Sequence, residues 1–182
     1  MRKFFYWIIA AMFVLQACNN EAKKDDAAAT EPTTTETKKQ PAEFADAKYA
    51  AVGKEFLESM STDNMENWGK SFADNVVWLW NNGDSLVGKP AVIAYWKDRR
   101  VNAIDSISFS NEIWLPIKVN QPQAIEASGV WLLGWYEIKV KYKTGKSMTQ
   151  WSHIDYHFDA NDKVDRVIQY IDRAPINEAM KK

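Results

Sequence analysis

The stretch from Gly129 to Asp172, GVWLLGWYEIKVKYKTGKSMTQWSHIDYHFDANDKVDRVIQYID, leaves a chain the fewest choices. Runs rich in Val, Ile, Tyr and Trp favour extended backbone, because branched and aromatic side chains pack well on a pleated surface. They are broken only at Thr144-Gly145 and at Asn161-Asp162, pairs that readily reverse a chain. The pattern predicts three long antiparallel strands in meander. Such a sheet carries more apolar surface than its strands bury against one another, so helices from elsewhere must cover one face.

The upstream sequence supplies those helices. Phe44, Tyr49, Val52, Phe56, Leu57 and Met60 approximate a helical stripe across Phe44 to Met60. Thr62 or Asp63 is expected to cap a short second helix over DNMENWGKSF, burying Met65, Trp68 and Phe72. NVVWLW reads as a strand, and Asn82-Gly83 turns it back into SLVG. Lys89-Pro90 opens a third helix, since proline suits a first helical turn. Lys97, Arg99 and Arg100 near its end are expected to form a solvated terminus, where positive charge is favoured. Ile107, Phe109, Ile113, Leu115, Ile117 and Val119 all fall on odd positions, which predicts a strand with one apolar face. The tail, 176–182, is expected to fray. Helices first and antiparallel strands after them make the predicted class α+β.

Residues 1–17 open with Arg2 and Lys3, run through FFYWIIAAMFVL and read as a signal peptide. The following LQAC resembles the bacterial lipoprotein cleavage box, which makes Cys18, the single cysteine of the chain, the expected lipidation site. From there to residue 42 the sequence is polar, with too little apolar surface to fold, and is expected to be a tether. Its EAKKDD segment resembles the export signal of surface lipoproteins of the Bacteroidetes group. The expected location is therefore the cell envelope, lipid-anchored at the outer membrane on its periplasmic or surface side, with the folded domain over 43–175. Lys and Arg number 23 against 24 Asp and Glu, so no electrostatic argument favours nucleic acid as a partner.

FADNVVWLW, then GKPAVIAYW, then a strand ending HFDANDKV and a last strand ending QYID resemble, in that order, the nuclear transport factor 2-like superfamily and its SnoaL-like branch. The resemblance covers about Phe44 to Asp172. It implies a cone-shaped α+β barrel, in which a strongly bent mixed sheet wraps three helices around a pocket. The residues at the family's catalytic positions, however, are changed. Where steroid isomerases of the superfamily keep a base and two oxyanion donors, this chain has Trp80, Phe56 and Ile154; where epoxide hydrolases keep an aspartate on the last strand, it has Gln169. None of these exchanges a proton near neutral pH, so no catalytic residue is assigned.

The same alignment implies a pocket lined by Phe56, Trp78, Trp80, Tyr95, Tyr136, Ile154, Tyr156, Val167, Gln169 and Ile171. A wall of that kind suits a small hydrophobic or aromatic molecule. The alternative is that the bulky rings simply fill the cone. His153, Asp155 and His157 alternate along one strand and share a face, a ligand set known for iron and zinc. Their parity opposes that of Ile154, Tyr156 and Phe158, which places them outside the pocket; neither a metal nor a cofactor is expected. Trp131, Trp135 and Trp151 are expected on that convex outer face, where an aromatic patch marks a partner or a second copy of the chain. Three readings follow: a ligand-binding lipoprotein, a SnoaL-like enzyme using other groups, and an interaction module with a filled pocket.

Overall fold

A computed structural model describes residues 40–122 and 128–181, all within the compact unit Lys38–Lys182. The predicted signal peptide, Cys18 and nearly all of the predicted tether lie outside the described residues. At the tether's expected end, Ala42–Phe44 already forms a short strand, β1, and Asn120 N–H donates to the Pro41 carbonyl at 2.8 Å.

Two helices follow, α1 (Lys48–Ser61) and α2 (Met65–Lys70). The predicted first helix therefore starts four residues late, because Phe44 is taken up in strand pairing with Ile117. Asn64, and not Thr62 or Asp63, caps α2 by accepting from Asn67 N–H at 3.1 Å. Then come β2 (Phe72–Trp80), β3 (Ser85–Val87), α3 (Lys89–Asn102), β4 (Ile104–Val119), β5 (Gly129–Tyr142), β6 (Ser147–Phe158), β7 (Val164–Tyr170) and α4 (Arg173–Met180). The stretch expected to fray is thus a helix, begun by Asp172, whose carboxylate accepts from Ala174 N–H at 2.9 Å.

The strands form one seven-stranded sheet in the order β1-β4-β5-β6-β7-β2-β3. Every pairing is antiparallel except β2 with β7, where Trp80 lies opposite Gln169. The architecture is α+β with a mixed, open sheet, and its inner face packs on the helices. Even-numbered residues of β5 and β6 point inward, among them Leu132, Tyr136, Ile154 and Tyr156, all of them buried.

β4 departs from the expected single apolar face. The register against β5 slips by one residue between Ser110 and Ile113, with Asn111 in the left-handed region at φ 55°. A bulge of this kind reverses the parity of everything beyond it. Ile107 and Phe109 face inward, whereas Ile113, Leu115 and Ile117 face out and Trp114 turns into the core. Trp114 fits there because two glycines flank it. A Cβ on Gly134 would stand 2.3 Å from its ring, and one on Gly53 of α1 would stand 2.7 Å away.

Turns tie the two layers together. Gly145, at φ 87°, closes the β5–β6 hairpin by donating to the Tyr142 carbonyl. In the β6–β7 turn, Asp162 accepts from Lys48 Nζ and Tyr49 Oη, each at 2.6 Å, and so pins the first turn of α1 to the sheet.

Candidate functional site

Between the helices and the inner sheet face lies a cavity of about 120 Å³. β2 supplies Trp78 and Trp80 to its wall, α1 supplies Phe56, and α3 supplies Tyr95. Tyr136 of β5, Ile154 and Tyr156 of β6, and Gln169 and Ile171 at the end of β7 complete the set that the sequence placed together. Val167 is the exception. It is fully buried between Trp78 and Tyr156 in the sheet register but takes no part in the wall.

The cavity is small, and the rings explain why. Trp68 stacks edge-on against Phe72 at 4.7 Å, Trp78 lies 5.4 Å from Trp96, and Phe56 stacks on Tyr156 at 5.0 Å. Aromatic packing of this kind occupies most of the interior. What remains is comparable with the apolar cavity of about 150 Å³ that holds a benzene ring.

Trp80 and Gln169 meet inside it. The Trp80 indole donates to Gln169 Oε1 at 3.1 Å, and Gln169 Nε2 reaches Ser152 Oγ at 3.5 Å. Gln169, at the place where epoxide hydrolases of the superfamily keep an aspartate, therefore has its carbonyl already engaged. Burial holds the hydroxyls of Tyr136 and Tyr156 protonated far above the usual tyrosine range, Ser152 opposing the shift at Tyr136 and Tyr136 reinforcing it at Tyr156. Tyr142 is raised by burial too, against the opposing pull of Arg99. Among the described residues, no carboxylate, imidazole, thiol or amine lines the wall.

Several wall residues were not foreseen. Arg99, expected at a solvated helix end, sits in the wall with its guanidinium 5.6 Å from the Tyr95 ring, and Arg100 pairs instead with Asp63. Their spacing carried the signal, since Val92, Tyr95, Trp96 and Arg99 fall on one side of α3. α4 adds Ile176, Asn177 and Met180 across one end of the cavity. Its signal was Asp172 followed by Pro175 in a first turn, then apolar residues at helical spacing.

The outer face carries the histidines. His153 Nδ1 lies 3.0 Å from the Gly134 carbonyl and its Nε2 3.0 Å from Asp155 Oδ1, whereas His157 Nδ1 turns to Asp165. Burial pushes the Asp155 carboxyl above its ordinary value, with His153 opposing. Among the described residues, no cluster of His, Cys, Asp and Glu is arranged to hold a metal ion. The expected tryptophan patch is reduced: Trp131 is buried beside His157, and Trp135 stacks on His153 at 4.5 Å, leaving Trp151 about half exposed.

No protein-family model matches the chain, and no curated protein sequence does. Solved structures do match. A candidate polyketide cyclase from Xanthomonas campestris pv. campestris superposes with a TM-score of 0.58 at 11% identity, over 72% of this chain and 96% of that one. An NTF2-like protein of unknown function from Burkholderia pseudomallei gives 0.57 at 16% identity, over 73% and 97%. The fold is that of the nuclear transport factor 2-like proteins. An epoxide hydrolase of the LEH-like type from M. tuberculosis shares it more distantly, at a TM-score of 0.51 and 11% identity over 71% and 86% of the two chains. Identities this low carry the nuclear transport factor 2-like architecture from those proteins to this chain, and no activity with it.

Proposed function

We propose that this chain is a lipid-anchored protein of the bacterial cell envelope whose nuclear transport factor 2-like domain binds a small, ring-bearing apolar molecule without turning it over. One observation carries the reading: a ring-lined cavity of about 120 Å³ whose wall, among the described residues, holds no carboxylate, imidazole, thiol or amine. Calorimetric titration with toluene, alongside melting curves, tests it. Saturable binding that raises the melting temperature supports the reading. Its absence for toluene and for every other single-ring probe overturns it, and conversion of a bound probe would favour an enzyme of the SnoaL-like type instead. The anchor rests on LQAC and the single Cys18. Cys18→Ser is expected to move the protein into the soluble fraction or stop its processing, and a variant that is cleaved normally yet stays with membranes removes the anchor.

A second reading is favoured by the outer face. Phe44, Val87, Ile113, Trp151 and Tyr170 are all exposed, and strand register puts all five on the side of the sheet away from the cavity. A single-sided apolar surface of this kind suits a second copy of the same sheet.

A further inference from the structure

The polar groups of the cavity wall are out of balance. Donors abound: the indoles of Trp78 and Trp96, the Arg99 guanidinium, the Asn177 amide and the tyrosine hydroxyls. Strong acceptors are scarce, because the wall has no carboxylate among the described residues and Gln169 Oε1 already takes the Trp80 N–H, which leaves the Asn177 carbonyl and the tyrosine oxygens. Two donors are shut in with nothing to bond: Trp78 Nε1 and Trp96 Nε1 are both buried and without a partner among the described residues. An unmet buried donor carries its full desolvation penalty, which an acceptor arriving with a ligand would relieve.

The charges are unequal too. The wall contains two arginines. Arg173 is held by Asp84 at 2.7 Å, but Arg99 has no carboxylate partner among the described residues; its neighbours are the Tyr142 hydroxyl, the Met180 sulfur, at 3.4 Å, and the Tyr95 ring. Arg99 lies one helical turn beyond Trp96, and the Trp96 ring in turn lies 5.4 Å from that of Trp78. A guanidinium without a carboxylate and two indole donors without acceptors thus share the wall of a cavity whose remaining lining is mostly aromatic and aliphatic. A cation seated among these rings would find no carboxylate and would face Arg99.

We propose, on the reading that the cavity takes a ring-bearing molecule, that its ligand is an aromatic monocarboxylate. The ring fills the aromatic end, and the carboxylate is held by Arg99, whose planar fork suits it. One uncompensated positive charge calls for one negative charge. The small cavity limits the body of the ligand to about one ring.

Calorimetric titration at pH 7 with toluene, benzamide, benzoate and benzylammonium tests this. Benzoate is expected to bind at least about tenfold tighter than toluene, benzamide to fall between them, and benzylammonium not to bind. Arg99→Gln is expected to bring benzoate down to the level of toluene while leaving toluene unchanged, and Arg99→Lys to keep part of the preference. If toluene binds as tightly as benzoate, or Arg99→Gln leaves the preference intact, the carboxylate assignment is overturned and the apolar pocket stands. If no probe binds, the pocket reading fails and takes the assignment with it. The ratio of benzoate to toluene affinity in the unaltered protein decides the matter even where a variant folds poorly.

Discussion

Gln169 shows how one residue changes meaning between sequence and structure. Its place on the last strand, in one pocket with Trp80, was read from the order of motifs, whereas its position directly opposite Trp80 appears only in the register of β2 and β7. That the amide is spent on the indole was not legible, because a hydrogen bond 89 residues apart in sequence leaves no local pattern. The consequence is a prediction about stability. Gln169→Leu strands a buried indole N–H and is expected to cost about 1–3 kcal/mol. Adding Trp80→Phe removes the stranded donor, so the double variant should be more stable than the sum of the two single losses implies. Chemical denaturation of the three variants measures this coupling, and strict additivity would mean that the bond contributes nothing. Asp162 makes the corresponding case for charge. Hydrogen bonds from Lys48 and Tyr49 hold its carboxyl below the ordinary 3.8, so the folded state binds that proton less readily than the unfolded chain. The stabilisation is present above that ordinary value and is lost as pH falls through the lowered one. Asp162→Asn, which tolerates the left-handed backbone at φ 58°, is expected to be less stable at neutral pH and to show a flatter decline in stability below about pH 4. Denaturation midpoints from pH 2 to 7 test it; parallel profiles for the two proteins would remove Asp162 from the acid response.

At the scale of elements, the meander was legible and its partners less so. β5, β6 and β7 fall where runs of branched and aromatic residues end at turn pairs, which is a local signal. The bulge in β4 is not, since odd-position periodicity across Ile107 to Val119 looks unbroken while a single extra residue at Asn111 reverses the far half. Helix α4 escaped because its eight residues are short and include a proline. The bulge has a measurable effect on how α1 docks. It turns Trp114 inward, and α1 approaches the ring through Gly53. In an exposed helix Gly→Ala gains about 1 kcal/mol. Here the added methyl would stand 2.7 Å from the ring of Trp114 and 2.9 Å from Leu132, so packing reverses the sign. Gly53→Ala is expected to destabilise by about 1–3 kcal/mol. Pairing it with Trp114→Leu, which clears the ring, should return much of that loss. A Gly53→Ala protein at least as stable as the original would place α1 further from β4 than it stands.

The sheet has two faces with different surroundings. The inner face of the sheet meets helices and borders the cavity; the outer face, which no helix covers among the described residues, carries Ile113, Trp151 and Tyr170. The sheet stands between the two, which makes their functions separable. Outer-face exposure was partly legible, because strand parity placed Trp151 there, but the contribution of Ile113 depends on the bulge and could not be read from alternation. If the outer face joins a second copy, each apolar side chain is buried twice in a two-fold contact, so a single charge inserted there acts in both subunits. Trp151→Lys and Ile113→Lys are then each expected to weaken self-association at least about tenfold, shifting the protein towards monomer at any concentration at which the unaltered protein proves dimeric. Neither touches the cavity wall, so toluene affinity should be unchanged in both. Sedimentation equilibrium and calorimetry on the same samples separate the outcomes. A chain that is monomeric at every concentration ends the second-copy reading, and a charge on the outer face that abolishes toluene binding would show that the two faces are not independent.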